Sequence, residues 1–511
     1  MGSKIAVRLV HYVRMKCCLR SPGSILTVFV ICCCTVHLAA QNNRLIKTDF
    51  EHDDTLNSKW QYIQRFPGRP QIALEERQVF KGRRSLHLGL GQVAQRGGIS
   101  FTLPLTPSVT YRQLKATIAA RVSGGAVGDA YLAMFRKGRR VDRDGLVIPN
   151  DYITDTVWRS YQNRFLIPPD VDSLVIYLAV IGPGSTWFDD LSVEWNDDLK
   201  APKPKLKKEV AKMLRFAKTS YWKRDSVDWK TVERAVWYMA QGASNDSDFY
   251  PSVYALVSSI GDPHAYVHSG HQRREQRKLT TQEPQFQVTF PTVTLINGKY
   301  GLIEMPPFVK DHPALRKQYA DTLLQQIRTM DQTVNLEGWI VDMRRNGGGF
   351  VDPMIAGLSP LIDTPIVYGY HDFSKKAKKR DVWFYLREDG KEEFFTYTPY
   401  KTKKPLPVAV LSGPGCASAG EGILIGFKQH NRAKIFGTHS AGLTTGPKPY
   451  LLPDGGLFTL SAACFFDRNG VYYWNGVPPD VYIPQPPPHA TEEEDAVVKA
   501  ALKWLQDNPE Q

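Results

Sequence analysis

In the second half of the chain, short apolar runs alternate with longer segments whose apolar residues recur at helical spacing. Runs at 301–305, 338–343 and 408–412 are strand-length, and helical patterns occupy 313–330 and the stretch after Asp352. Short, almost continuous apolar runs are typical of strands that are buried on both faces of a sheet. The alternation therefore predicts a layered βαβ core.

The first half has a different pattern. Residues 46–197 contain short alternating strands, such as 85–90 and 174–181, separated by glycine, proline and aspartate turns. This is the pattern of an antiparallel sandwich. Its last strand, 185–193 (STWFDDLSV), resembles the terminal strand of galactose-binding-like jelly rolls, which include carbohydrate-binding modules. The resemblance implies a glycan as one ligand, with docking without a ligand as the alternative.

Between these halves, residues 201–208 (APKPKLKK) read as a proline- and lysine-rich linker. The helical spacing that follows predicts a small helical subdomain over 205–270. The α/β core is then expected over 285–490, and a C-terminal helix over 491–511. We therefore predict a multi-domain chain.

The first 40 residues have the features of an export signal. Five basic residues precede an apolar stretch, no acidic residue is present, and small residues end the segment at Ala40. The apolar stretch is shorter than the roughly 20 residues that a spanning helix needs. We expect cleavage after Ala40 and a periplasmic or extracellular protein, with an uncleaved signal anchor as the alternative and the only predicted membrane contact.

The net charge limits the possible partners further. The formal charge of +14 falls to +9 without residues 1–40, and the basic run at 375–380 is most simply a solvated loop, so no nucleic-acid partner is predicted.

Five of the seven cysteines lie in the signal segment. Cys416 and Cys464 remain, either as buried thiols or as one disulfide.

The most informative segment for chemistry is 411–421 (LSGPGCASAGE), between an apolar strand and an apolar helix. A serine at such a strand-to-helix turn exposes its hydroxyl beside the free backbone N–H groups of the helix N-terminus, which suit an oxyanion. Ser418 is therefore a candidate nucleophile. The alternative is that it only caps the helix.

A second segment, 338–350 (GWIVDMRRNGGGF), leads an apolar strand into three glycines. Glycines allow the backbone to approach whatever binds at the strand end, and a substrate carbonyl could bind there. A plain connection from strand to helix would also use glycines.

Together these segments resemble the tail-specific (C-terminal processing) serine protease family. Five motifs carry the resemblance in the family's order: 342–349, 417–421, 437–442, 452–456 and 476–480. The family implies a ClpP/crotonase-like α/β core, a polypeptide substrate hydrolysed through an acyl-enzyme on Ser418, and no cofactor. It also implies that the backbone N–H groups of Gly348 and Ala419 form the oxyanion hole.

One departure from the family matters for the general base. Many members place a lysine directly after the glycine that aligns with Gly442, and here that position is Leu443, which cannot accept a proton. The segment 260–267 (IGDPHAYV) is similar to the Asp-x-His segment of the tricorn-like branch, which implies His264 as the base. His439 is the alternative base.

The group that orients His264 is not identified by the resemblance. The tricorn-like branch has a serine before its histidine and a glutamate near the last motif, but here Pro263 and residues 472–475 occupy those places. Asp262 and Glu421 are the candidates. Glu421 could instead be a stabilising acidic residue at a helix N-terminus.

No metal or cofactor site is predicted, because Pro263 makes a helical His264 and His268 ligand pair improbable. Two other functions remain as alternatives. One is a catalytically inactive peptide- or ligand-binding protein on the same fold, favoured by the missing lysine and glutamate. The other is a carbohydrate-binding protein that acts through residues 46–197.

Overall fold

The computed structural model describes residues 44–51, 60–63, 66, 68–91, 95–142, 146–148, 152–197, 199–243, 246–274, 288–374, 381–387, 389–428, 430–486 and 495–509. The predicted signal segment and the basic run at 375–380 lie outside these residues. Within them, no helix combines the length and apolar character needed to cross a membrane. The described residues divide into two compact units, one of those up to Leu206 together with Ala235–Ala255, and one of Lys207–Arg234 together with those from Leu256 onward.

The described strands of the first unit form two antiparallel sheets. One sheet has the order β10-β6-β12-β4-β3, with β1 paired to β12, and the other has the order β2-β5-β11-β7-β8, with β9 paired to β7. The strands are β1 (Arg44–Thr48), β2 (Trp60–Tyr62), β3 (Gln71–Glu75), β4 (Ser85–Leu90), β5 (Arg96–Pro104), β6 (Arg112–Ser123), β7 (Val127–Arg136), β8 (Arg139–Arg140), β9 (Leu146–Val147), β10 (Arg159–Ile167), β11 (Ser173–Ile181) and β12 (Gly184–Trp195).

These two sheets share one hydrophobic core. Leu88 and Ile118 from the first sheet and Leu132 and Ile176 from the second are all fully buried in it. Side chains alternate across each strand, so every second residue faces this core. This periodicity of two is the feature that made the strands recognisable in the sequence.

Three helices follow the sheets: α1 (Pro204–Ser220), α2 (Trp229–Ala240) and α3 (Tyr250–Ile260). They occupy most of the 205–270 segment that was predicted to be helical, whose last residues instead include a short strand at Val267–His268. Residues 204–206 and 235–255 group with the first unit and the other helical residues with the second, so each of the three helices is divided between the units. The domain boundaries at 46–197, 205–270, 285–490 and 491–511 stay predictions.

The second unit is built on a sheet of order β14-β15-β16-β19-β20-β23, parallel from β15 to β23. Its described elements are β13 (Val267–His268), β14 (Thr292–Ile296), β15 (Tyr300–Glu304), α4 (Pro313–Thr333), β16 (Gly338–Asp342), α5 (Val351–Leu358), β17 (Ile366–Asp372), β18 (Asp381–Tyr385), β19 (Val408–Ser412), α6 (Ala419–Lys428), β20 (Ala433–Gly437), β21 (Thr445–Leu451), β22 (Leu457–Phe466), β23 (Val481–Tyr482) and α7 (Ala496–Asp507).

Helices cover both faces of this parallel sheet. Side chains of α4, α5 and α6 pack with Val341 and Val410 on one face, while Val497 and Leu505 of α7 pack with Ile340 and others on the opposite face. A sheet covered on both sides has no polar face, which explains the apolar runs in its strands. The predicted βαβ layering is thus present.

A smaller antiparallel sheet completes the second unit, with order β13-β22-β17-β18 and β21 paired to β22. Strand β13 pairs with the start of β22 through Val267 and Phe458, and β21 pairs with β22 from Thr445 to Leu451. This arrangement brings the segment after α3 beside the first residues of β21.

Candidate active site

The site begins where two neighbouring parallel strands end. Strands β16 and β19 pair in parallel from Trp339 to Asp342, so the loops that follow them emerge at the same edge of the sheet. Ala417 N–H donates to Asn346 O at 2.9 Å, which joins the two loops directly. The glycine-rich segment and the serine segment, 70 residues apart in the sequence, therefore meet as one structure.

Ser418 occupies a strained turn at the start of α6. Its φ angle is +53°, in the left-handed region that non-glycine residues seldom adopt. Such strain persists only where the surroundings impose it, and it is concentrated at functional sites. The turn holds Ser418 at the N-terminus of α6, beside a helix end whose first N–H groups lack helical partners.

The surroundings that impose this turn include Glu421. Its carboxylate accepts the Ser418 N–H at 2.8 Å, the Ser440 hydroxyl at 2.6 Å and the Gly442 N–H at 2.8 Å. The side chain is fully buried, and desolvation raises the pKa of Glu421 despite these hydrogen bonds. Glu421 thus fixes the start of α6 to the loop at 440–442.

Gly348 lies against this turn. Its φ angle is +92°, and a Cβ placed on it would lie 2.6 Å from Ala417 O and 2.8 Å from Ala419 N. Only a residue without a side chain fits a position with this backbone angle and this little space. The structure therefore brings Gly348, Ser418 and Ala419 together, as the family resemblance implied.

The two implied oxyanion donors differ in their present partners. The Ala419 N–H has no acceptor among the described residues, whereas the Gly348 N–H donates to Asn346 Oδ1 at 3.0 Å. A backbone N–H can share two acceptors. The Ala419 N–H is accordingly free to donate to an oxyanion. The Gly348 N–H would have to share its hydrogen bond with Asn346 or give it up.

His264 approaches from the turn between α3 and β13. Its ring Nδ1 is 2.8 Å from the Thr445 hydroxyl, at the first residue of β21. Thr445 and Ser418 line the same cavity, which has a volume of about 720 Å³. Ser418 Oγ has no hydrogen-bond partner among the described residues, so Ser418 and His264 are not hydrogen-bonded to each other here.

The two candidates for an orienting acid lie in different places. Asp262 is buried and accepts the Ser461 hydroxyl at 2.8 Å and the His264 backbone N–H at 3.1 Å. The Glu421 hydrogen bonds described above go to the turn of Ser418 and the loop at 440–442 instead. Asp262 is thus the candidate on the side of His264.

The remaining residues considered from the sequence are not among those that line the cavity. His439 is exposed and does not line the cavity. Cys416 and Cys464 are free, buried thiols whose pKa values burial raises, that of Cys464 to about 12. No group of three or more metal-ligating side chains is present in the described part of the chain.

Comparison with known proteins identifies the α/β part. The model of peptidase family S41 matches residues 299–483. These residues are a peptidase family S41 domain. The S41 domain contains Gly348, Ser418, Glu421 and Thr445, and it is a serine peptidase domain.

Relatives similar in sequence match different shares of the chain. The nisin-resistance protein of Lactococcus lactis subsp. lactis is 25% identical over 260 residues, which are 50% of this chain and 77% of the relative. The carboxy-terminal-processing protease of Bartonella bacilliformis is 26% identical over 196 residues, which are 38% of this chain and 41% of the relative. The chain thus spans less than half of the second relative.

Solved structures with a likeness to the chain are more distant. A lipoprotein from Streptococcus agalactiae has a TM-score of 0.47 at 19% identity, with 59% of this chain and 96% of that chain covered. The photosystem II D1 C-terminal processing protease has a TM-score of 0.41 at 12% identity, with coverages of 55% and 93%.

Proposed function

We propose that this chain is an exported peptidase that hydrolyses peptide bonds through an acyl-enzyme on Ser418, with His264 as the general base. One observation carries the proposal. Ser418 stands at a strained, left-handed position at the head of α6, on the same cavity as Thr445, whose hydroxyl holds the His264 ring.

The chemistry follows from these groups. A serine hydroxyl is a weak nucleophile until a base takes its proton. In the proposed reaction, Ser418 Oγ attacks the peptide carbonyl carbon while its proton passes to His264. The tetrahedral oxyanion accepts hydrogen bonds from Ala419 N–H and from Gly348 N–H, which shares its present bond to Asn346. His264 then gives the proton to the leaving amine, and water later releases the acyl group by the same route.

The missing hydrogen bond between Ser418 and His264 is compatible with this mechanism. Catalytic hydrogen bonds are often long before substrate binds, and they tighten in the reactive complex. Ser418 lines the same cavity as Thr445, the hydrogen-bond partner of the His264 ring. A fixed contact of His264 with Thr445 keeps the ring close to that cavity.

The cavity itself favours an apolar side chain next to the scissile bond. Tyr368, Tyr370, Phe384 and Phe465 line one part of it, and the Tyr368 ring lies 4.5 Å from that of Phe384. Aromatic walls of this kind bind apolar groups by removing them from water. The proposed substrate is therefore a polypeptide cleaved beside an apolar residue.

Hydrolysis of an unfolded protein such as reduced casein tests the proposal, with new termini identified by mass spectrometry. We expect cleavage by the full chain and none by Ser418→Ala. His264→Ala should lose nearly all activity, while His439→Ala, a variant in an exposed loop, should keep it. Loss of activity in His439→Ala with activity kept in His264→Ala would assign the base to the other histidine. Activity in Ser418→Ala would refute the proposal.

Within the proposal, the S41 domain has a ClpP/crotonase-like topology and the two N-terminal sheets form a galactose-binding-like jelly roll. Export rests on the basic and apolar segment at 1–40. N-terminal sequencing of the chain recovered from outside the cytoplasm should begin at Gln41. A chain that keeps residues 1–40 in the membrane fraction would indicate a retained anchor.

The N-terminal sheets offer a second candidate function, glycan binding. On the face of β7 and β11 opposite the shared core, the Tyr131 and Tyr177 rings stack at 4.5 Å within a smaller apolar cluster and are only 6% and 9% exposed. A glycan would therefore bind at the edge of this cluster, beside the ion pair of Arg96 with Asp129. Aromatic rings with charged groups at their edge suit sugar rings and hydroxyls. Arg96→Ala, at a side chain that is 32% exposed, should abolish glycan-array binding when made in the full-length Ser418→Ala chain, and an array with no binding by the parent would remove this candidate.

A further inference from the structure

A buried chain of hydroxyl groups connects His264 to a carboxylate. His264 Nδ1 is 2.8 Å from Thr445 Oγ1, Thr445 Oγ1 is 3.0 Å from Ser461 Oγ, and Ser461 Oγ is 2.8 Å from Asp262 Oδ1. Thr445 is 5% exposed, Asp262 3% and Ser461 0%. The two hydroxyls and the carboxylate are thus shielded from water, and His264 at the end of the chain is partly buried.

The direction of these hydrogen bonds follows from the Asp262 carboxylate. An ionised carboxylate only accepts, and Asp262 also receives the backbone N–H of Ser461 at 2.6 Å and of His264 at 3.1 Å. The Ser461 hydroxyl must therefore donate to Asp262. Its oxygen then accepts the Thr445 hydroxyl, whose oxygen in turn accepts from the ring of His264.

This order fixes the tautomer of the imidazole. Since Thr445 Oγ1 accepts, His264 carries its proton on Nδ1, and the lone pair is on Nε2. A base for Ser418 needs that tautomer, because the nitrogen bound to the orienting group cannot also take the proton. The hydroxyl chain therefore prepares His264 for the role given to it above.

We propose that Asp262 is the orienting acid of this site and acts on His264 through Ser461 and Thr445. The three are positioning residues, and the inference rests on the proposed role of His264. When Ser418 loses its proton to Nε2, the imidazolium formed donates more strongly from Nδ1 to Thr445. The aligned hydroxyl dipoles and the Asp262 charge then stabilise it, and no proton moves along the chain.

The location of the hydroxyls supports this role. Ser461 lies in β22, where almost all neighbouring residues are buried and apolar, and a buried hydroxyl costs free energy unless it is hydrogen-bonded. Thr445 begins β21, next to an irregularity in its pairing with β22 between Gly446 and Pro447. Both hydroxyls find their partners in the chain that leads from Asp262 to His264.

The test uses labelling of the full chain by a fluorophosphonate–rhodamine probe, in which Ser418 Oγ displaces fluoride from phosphorus. Thr445→Val removes the hydroxyl but keeps the shape of the side chain. We expect its maximal labelling rate to fall about 10- to 100-fold with the probe's half-saturating concentration changed less than about 3-fold. Thr445→Ser should restore most of the rate. Thr186→Val, which removes a buried hydroxyl that has no hydrogen-bond partner among the described residues, should label like the parent.

A second variant covers the case in which Thr445→Val does not fold. Asp262→Asn removes the charge at the end of the chain and places its amide N–H₂ opposite a donor, either the Ser461 hydroxyl or the Ser461 backbone N–H. Its maximal rate should fall at least as far as that of Thr445→Val. Parent-like labelling of both variants, while His264→Ala does not label, would overturn the inference alone. Parent-like labelling of His264→Ala would overturn the proposed base and the inference with it.

Discussion

Glu421 accepts the backbone N–H of Ser418 at 2.8 Å, three positions upstream in the chain. This is the glutamate half of a capping box, in which an acidic residue in the first helical turn satisfies the backbone of the capping residue. Here the same carboxylate also holds Ser440 and Gly442. The strained turn of Ser418 and the loop at 440–442 are therefore stabilised by one buried side chain.

Glu421→Gln tests this arrangement. The amide replaces an acceptor oxygen with an N–H₂ group that faces backbone donors, so we expect the free energy of unfolding to fall by about 2 kcal/mol. Urea unfolding measures the change, and Glu393→Gln, at an exposed position, should be neutral. A Glu421→Gln protein as stable as the parent would show that the carboxylate is not required.

Gly348 and Gly347 form a matched pair. A Cβ on Gly348 would lie 2.6 Å from Ala417 O and 2.8 Å from Ala419 N, both backbone atoms, whereas a Cβ on Gly347 meets nothing within 4 Å. Gly348→Ala should therefore abolish fluorophosphonate labelling and cost about 2 kcal/mol or more of stability. Gly347→Ala should change both by little. Similar effects of the two substitutions would contradict this account of the turn.

The strain at Ser418 has a measurable cost. Glycine adopts a φ of +53° without the penalty that a Cβ brings, so Ser418→Gly should be about 1 kcal/mol more stable than Ser418→Ala. Both variants lack the hydroxyl, so the comparison isolates the backbone. Urea midpoints measure the difference. Equal stability would mean that the left-handed turn is not strained.

The ion pair of Asp363 should make the free energy of unfolding depend on pH. Burial alone would raise its pKa, but the ion pair with Arg432 and the neighbouring His430 hold the pKa of Asp363 below its ordinary value. Its contribution is therefore complete above about pH 4 and is lost as the pH falls below that. The side chain is 45% exposed, so Asp363→Asn should cost only about 1–2 kcal/mol at pH 7 and less at pH 3.

Asp507→Asn, at an exposed helix end, should show no such pH-dependent loss in thermal unfolding. A cost of Asp363→Asn that does not shrink on acidification would contradict this ion pair.

Much of the fold follows from hydrophobic periodicity. Strand β19 occupies the predicted run from Val408 to Ser412, because a central parallel strand is buried on both faces and reads as continuous apolar sequence. Helix α4 extends three residues beyond its predicted end to Thr333, since helix ends depend on local backbone partners rather than on periodicity.

Only part of the site could be predicted from the sequence. Ser418 and Gly348 stand in glycine-rich motifs, and the spacing of Ser418 and Glu421 was a capping-box signal that could have been recognised. Thr445 and Ser461 do not belong to any sequence pattern that would have marked them as site residues. They lie 183 and 199 residues beyond Asp262, on strands whose pairing is set by tertiary structure, and short hydroxyl side chains are common in strands.

The central claim is that the His264 ring reaches the Ser418 hydroxyl. A crystal structure of the chain with a fluorophosphonate bound covalently to Ser418 measures this directly, as the distance from His264 Nε2 to Ser418 Oγ. We expect roughly 2.6–3.2 Å, with Nδ1 still on Thr445. A ring that stays beyond about 6 Å in the adduct, or an adduct on another residue, would contradict the mechanism.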